Sequence, residues 1–256
     1  MAEALPWLSI AEGRLCDPTG APLRLLGLRA GEADTSADAR DAELLAAVPA
    51  GRRLLACTIE HVAQLRPAAL EALDERIDAA ETRGSYVLLR LPARLWMHGH
   101  HLRLARRYIE RSAVMFALLG RAPLAERVWR AAQALAEAHP RALVWLPLEA
   151  SRSALLDPVG ARVGLLWDAA RPQDPRGAAL RGALRRPVLL DGWRPGAQPL
   201  ADARLMQLCR EGGIGWLARS GGRWMRIERG QTVPERSAWA LQRVLHEQDD
   251  TTQAPL

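Results

Sequence analysis

The chain has 256 residues, 49% of them hydrophobic and 25% charged, an ordinary globular composition with enough length to bury one large core without a second domain. Its net charge of +6 rests on 35 basic residues that are all Arg; Lys and Asn are absent and only one Phe and two Tyr occur, so GC-rich coding accounts for the bias. No uncharged run approaches the roughly 18 residues of a membrane span. Arg alternates with Asp and Glu, as along Leu70–Arg83, instead of gathering into the stripe that a nucleic-acid surface requires.

The short basic runs Arg103–Arg111 and Arg181–Arg186 are read as solvated faces, and nucleic acid is not expected as a partner. Cys16, Cys57 and Cys209 are unevenly spaced and form no CxxC, which suits buried small residues or a reducing compartment. The N-terminus lacks a basic stretch followed by an apolar one, so cytoplasmic placement is the default expectation.

In chain order, Trp7–Pro22 reads as a small hairpin turning at Asp17-Pro18-Thr19-Gly20, where Pro and Gly supply turn chemistry. Eight apolar runs follow: Leu23–Leu28, Arg53–Ile59, Ser85–Leu91, Ala113–Leu119, Ala142–Leu148, Arg162–Trp167, Pro187–Leu190 and Ile214–Ala218. Near-continuous apolar character marks parallel strands covered on both faces.

Helical patterns alternate with them. Leu70, Leu73, Ile77 and Ala80 share one face, opposite Glu71, Glu75 and Arg76. Leu124, Val128, Ala131 and Leu135 repeat the pattern after Pro123, a residue favoured at a first helical position. Asp38–Val48, Leu102–Glu110, Asp174–Leu184, Leu200–Arg210 and Glu235–Glu247 fill the other slots, and the fifth, Ser151–Leu156, is short. Eight βα alternations predict an α/β fold, a closed (β/α)8 TIM barrel over residues 1–247 with an N-terminal β-hairpin (7–22) closing its bottom and a frayed tail at 248–256.

Several segments resemble the cellulase family of glycoside hydrolases and the wider clan of barrel glycosidases. Ile10–Gly27 is similar to the family's opening hairpin and first strand, and Ile77–Leu91 to its second helix and third strand. Val114–Pro123 resembles the fourth strand, which in the family closes in Asn-Glu-Pro. Pro187–Trp193 resembles the seventh, and Gly213–Ser220 the last, with its substrate-facing Trp.

The resemblance implies a general acid/base Glu after strand four and a nucleophilic Glu after strand seven. Here the first slot falls on Ala122, with Arg121 where the family has Asn, and the second on Gly192 or Asp191. Leu91-Pro92 replaces the strand-three His, and Trp167-Asp168-Ala169-Ala170 lacks the strand-six His-Tyr pair. Ordinary glycoside hydrolysis needs two carboxylates flanking the scissile bond, which an Ala and a Gly do not supply.

Three acids remain at strand ends, Glu149, Asp168 and Asp191, on the face where barrel function resides. They read as a relocated catalytic pair, a hard-cation site, or ordinary capping and solvated groups. Trp96, Trp167, Trp193 and Trp216 lie at or after strands three, six, seven and eight, and the expectation is a stacking platform for sugar rings, against the alternative of core packing. Trp7, Trp129, Trp145, Trp224 and Trp239 are expected to be structural.

Arg90 and Arg121 are placed near the mouth, as substrate-binding residues together with the four Trp or as partners that pair with the acids and neutralise them. His98, His100 and His101 have no further ligand spaced to complete a metal site, and neither a phosphate loop nor GxSxG occurs. No cofactor and no metal is expected. The sequence thus points to a degenerate glycoside-hydrolase-like barrel that binds an oligo- or polysaccharide or a protein partner without turnover. The rivals are a divergent hydrolase using Glu149, Asp168 or Asp191, and a structural subunit of a larger assembly.

Overall fold

The computed structural model describes residues 4–29, 45–120, 125–148, 162–168, 186–194, 199–219, 225–228, 231–234 and 244. Eight parallel strands close into a barrel: β3 (Leu26–Arg29), β4 (Arg53–Thr58), β5 (Ser85–Leu91), β6 (Val114–Leu118), β7 (Val144–Pro147), β8 (Val163–Asp168), β9 (Val188–Trp193) and β10 (Gly215–Arg219), with β10 pairing back onto β3. All eight apolar runs of the sequence become these strands, within a few residues at each end. Helices α1 (Pro67–Thr82), α2 (Ala93–Trp96), α3 (His100–Arg107), α4 (Ala125–Ala138) and α5 (Pro199–Glu211) accompany them. Pro67 opens α1, where its missing N–H costs nothing. The helical patterns at Ser151–Leu156 and Asp174–Leu184, the first seven residues of that at Asp38–Val48, all but residue 244 of that at Glu235–Glu247, and the tail fall outside the described residues.

Strand residues alternate between two environments, as a period of two requires. Val87, Leu89, Leu91, Val114, Phe116 and Leu118 face outward and pack on Leu70, Ile77, Leu104, Val128 and Leu135 of the helices. Leu26, Leu28, Leu165, Val188 and Leu190 do the same against Leu205, Met206 and Cys209 of α5. Leu25, Leu54, Tyr86, Leu88, Met115, Ala117, Trp145, Leu166, Leu189 and Leu217 fill the interior. Trp145 and Gly164 are register partners on β7 and β8, and a Cβ on Gly164 would lie 2.5 Å from the indole ring. The barrel is therefore a packed core, filled in part by one indole over one glycine.

The N-terminal hairpin is present, with its turn displaced. β1 (Ser9–Ala11) and β2 (Arg14–Cys16) turn at Glu12-Gly13, whose φ values of 50° and 74° are those of the tight turn that matches strand twist. Asp17–Gly20 is a second turn, leading to the Cys16–Pro22 bridge. Asp17 Oδ1 accepts hydrogen bonds from the backbone N–H groups of Thr19 (2.9 Å) and Ala21 (3.0 Å). Both turn signals are written in the sequence, Asp-Pro-Thr-Gly more plainly than Glu-Gly. Leu8 and Leu15 pack into the interior cluster, and the Tyr86 hydroxyl donates to the Pro6 carbonyl at 2.8 Å. A further antiparallel pair, β11 (Met225–Glu228) and β12 (Gln231–Pro234), follows the last barrel strand, where the sequence reading placed no element.

Candidate functional site

The C-terminal ends of the barrel strands carry the polar interior positions. Inward faces alternate, so Leu25 and Leu217 in the interior put Arg29 and Arg219 on the same side at the top of their strands. Leu54, Ala56 and Leu88 likewise lead to Thr58 and Arg90, and Leu166 and Leu189 to Asp168 and Asp191. Because the strands of such a barrel are staggered, odd and even strands contribute to different layers. Arg29, Arg90, Pro147 and Asp191 form the layer from the first, third, fifth and seventh strands. Thr58, Leu119, Asp168 and Arg219 form the next layer, towards the rim.

Arg90 and Asp191 meet across the interior. Arg90 Nη2 donates to Asp191 Oδ2 at 2.5 Å, with the two side chains 3% and 13% exposed. Arg90 Nη1 donates to Thr58 Oγ1 at 3.0 Å. Arg90 Nε and Asp191 Oδ1 are buried with no hydrogen-bond partner. Asp168 is exposed at the rim and is the register partner of Asp191 on the adjacent strand. Arg29 is partly buried; loss of water, followed by the charge of Arg90, holds its pKa below the usual guanidinium value, Asp191 opposing and Arg219 adding to the effect.

Of the predicted site residues, Arg90, Asp168 and Asp191 share the mouth, as alternation demands. Glu149 and Arg121 lie outside the described residues, as does Ala122. The stacking platform is corrected, because all four indoles it relied on are core. Trp216, 1% exposed, and Trp167 face outward between strands and helices with Leu205, Met206 and Cys209. Trp96 packs with the α1–α4 side and donates Nε1–H to the Leu119 carbonyl at 2.8 Å.

Trp193 is turned outward by a bulge. Leu217 and Ala218 of β10 pair with Asp191 and Trp193, skipping Gly192, whose φ of 79° is left-handed. The extra residue swings Trp193 to the outer face, where it meets Trp216 edge-on at 5.3 Å and donates to Asp202 Oδ1 at 3.0 Å. The same glycine leaves Asp191 pointing inward. His98 is exposed while His101 is buried, so the three histidines occupy different surroundings. No group of three or more His, Cys, Asp or Glu able to hold a metal is found among the described residues.

Sequence reasoning missed Arg29, Arg219 and Thr58. The signal was available: counting in twos from Leu25, Leu217 and Leu54 places all three inward at the mouth.

No family model matches the sequence, and no curated protein is similar to it. Among solved structures, the catalytic domain of a mannanase from Streptomyces sp. SirexAA-E is 16% identical, covering 84% of this chain and 81% of its own with a TM-score of 0.55. Thermotoga maritima Cel5A in complex with a mannotriose substrate is 9% identical over 87% and 97% of the two chains, with a TM-score of 0.60. A truncated 3-deoxy-D-arabino-heptulosonate 7-phosphate synthase from Thermotoga maritima is 12% identical over 96% and 92%, with a TM-score of 0.57. Likeness at these identities is one of fold, and enzymes of unrelated names share it. The chain has the closed (β/α)8 barrel found in cellulase- and mannanase-type glycoside hydrolases.

Proposed function

We propose that this glycoside-hydrolase-like barrel binds a glycan at its C-terminal mouth and does not hydrolyse it. The observation that carries the reading is the Arg90–Asp191 pair. Asp191 is the acid of the two residues, Gly192 and Asp191, on which the resemblance places the nucleophile, and its carboxylate is tied across the barrel to a buried guanidinium. As a nucleophile it would have to give up the charge on which its partner's burial depends. The residue after it is Gly192, which offers no functional group.

With the four indoles in the core, recognition falls to the polar groups of the two uppermost interior layers: Arg29, Thr58, Asp168 and Arg219. Hydrogen-bonding groups at the strand ends suit a polyhydroxylated ligand, since each hydroxyl both donates and accepts. One observation favours the rival, a divergent hydrolase. Asp168 and Asp191 are adjacent-strand register partners, which brings two carboxylates to neighbouring strand ends.

A glycan array read alongside release of reducing sugar from β-mannan and β-glucan oligosaccharides tests the proposal. Binding without release, weakened by Arg219→Gln at the rim, is the expected result. Release that disappears in Asp191→Asn would establish the hydrolase, and silence on the array would defeat the glycan reading.

A further inference from the structure

We propose that the mouth takes an acidic sugar, with a carboxylate or phosphate group held by Arg29, Arg90 and Arg219 and a ring hydroxyl held by Asp191. This inference rests on the glycan-binding reading and names the class of ligand.

Among the described residues, three arginines come together at this end of the barrel, against the carboxylates of Asp191 and Asp168 at strand ends and of Glu60, whose charge also reaches Arg29. Arg29 and Arg219 are direct register partners on neighbouring strands, both facing the interior. Like charges set opposite one another across a strand pair repel. Arg90 lies in the same interior layer as Arg29, and the one carboxylate of that layer, Asp191, is already engaged by Arg90 through Oδ2. Neither Arg29 nor Arg219 forms an ion pair among the described residues. Burial and the neighbouring guanidiniums both disfavour the charged form of Arg29, a penalty that a bound anion relieves.

The unfilled hydrogen-bonding atoms indicate what accompanies the anion. Arg90 Nε is a buried donor and Asp191 Oδ1 a buried acceptor, each without a partner. An oxyanion satisfies the donor, and guanidinium forks suit the planar oxygens of a carboxylate or the face of a phosphate. An ionised carboxylate only accepts, so Asp191 Oδ1 requires a donor such as a hydroxyl. One oxyanion and one hydroxyl on a single small molecule describe a sugar acid or a sugar phosphate better than a free anion or a neutral sugar.

Titration calorimetry on the full chain compares glucuronate, glucose 6-phosphate, inorganic phosphate and glucose. The expected result is that at least one acidic sugar binds more tightly than both glucose and inorganic phosphate, and which one binds identifies the source of the oxyanion. Arg29→Gln and Arg219→Gln are each expected to weaken it about tenfold, the worth of a hydrogen bond to a charged group. Arg219→Gln alters an exposed side chain, so the test survives if Arg29→Gln folds poorly. Acidic-sugar binding unchanged in Arg219→Gln would overturn the oxyanion site, and acidic sugars binding no better than glucose would overturn it while leaving binding without hydrolysis intact. Hydrolysis abolished by Asp191→Asn would overturn the underlying reading instead.

Discussion

Arg90 on the third barrel strand and Asp191 on the seventh are joined by a 2.5 Å ion pair that crosses the packed interior just below the mouth. Opposite strands of the barrel are thereby tied through side chains, at the height where barrel glycosidases carry their chemistry.

The pair is expected to be costly to break and cheap to replace. Removing one partner from a buried ion pair leaves an uncompensated charge and costs about 3–5 kcal/mol. Asp191→Leu or Arg90→Leu alone should therefore lower stability by about that amount. The double substitution Arg90→Leu with Asp191→Leu should recover most of it. Urea unfolding of the four proteins gives the coupling energy, and additive losses would show that the two side chains do not interact.

Trp216 is expected to act through stability. It is 1% exposed and packed between β10 and α5, so Trp216→Ala should cost about 3–5 kcal/mol by leaving a cavity. Trp193→Phe should cost about 1 kcal/mol through the lost hydrogen bond to Asp202. Glycan affinity measured on the fraction that remains folded should be unchanged in both. A selective loss of binding with full stability would return the indoles to the mouth.

Gly192→Ala is expected to cost about 1–2 kcal/mol, the price of a left-handed backbone with a Cβ. No atom crowds a Cβ at that site, so the loss comes from φ alone and thermal unfolding measures it. A neutral substitution would mean that the bulge is not held in the left-handed conformation.

Acid sensitivity should come from two buried histidines. Burial lowers the pKa of His101, with His100 adding to the effect. Burial also lowers that of His139, with Arg162 adding and the Tyr108 carbonyl and Glu110 opposing. In the unfolded chain both return to about 6.5. Between the lowered values and about 6.5 the unfolded chain binds more protons, so stability rises with pH across that window. It is fully present above the upper limit and is lost as pH falls through the window. Unfolding midpoints at pH 7.5 and 5.5, with imidazole shifts followed by NMR, check this. Two histidines titrating at or above the ordinary value would contradict it.

The barrel was legible because its signal is redundant. Eight runs such as Ser85–Leu91 repeat the same apolar pattern, and helices such as Pro67–Thr82 carry their buried residues Leu70, Leu73, Ile77 and Ala80 at helical spacing. The mouth was half legible. Arg90, Asp168 and Asp191 stand at strand ends, and their convergence follows from topology. The tryptophans misled because proximity to a strand end does not decide which face a side chain takes. Trp216 alternates with Leu217, and that single step of register sends it outward. Trp193 required knowledge of the Gly192 bulge, a backbone feature that Asp-Gly-Trp does not announce. The Glu12-Gly13 turn was overshadowed by the stronger Asp-Pro-Thr-Gly signal a few residues later.

The central claim is that Asp191 serves as the partner of Arg90 and not as a catalytic group. Long incubation of the wild-type chain and Asp191→Asn with β-mannan and β-glucan oligosaccharides, followed by quantitation of reducing ends, tests it most directly. No release above the level of the variant is the predicted result; release by the wild type that vanishes in Asp191→Asn would contradict the account.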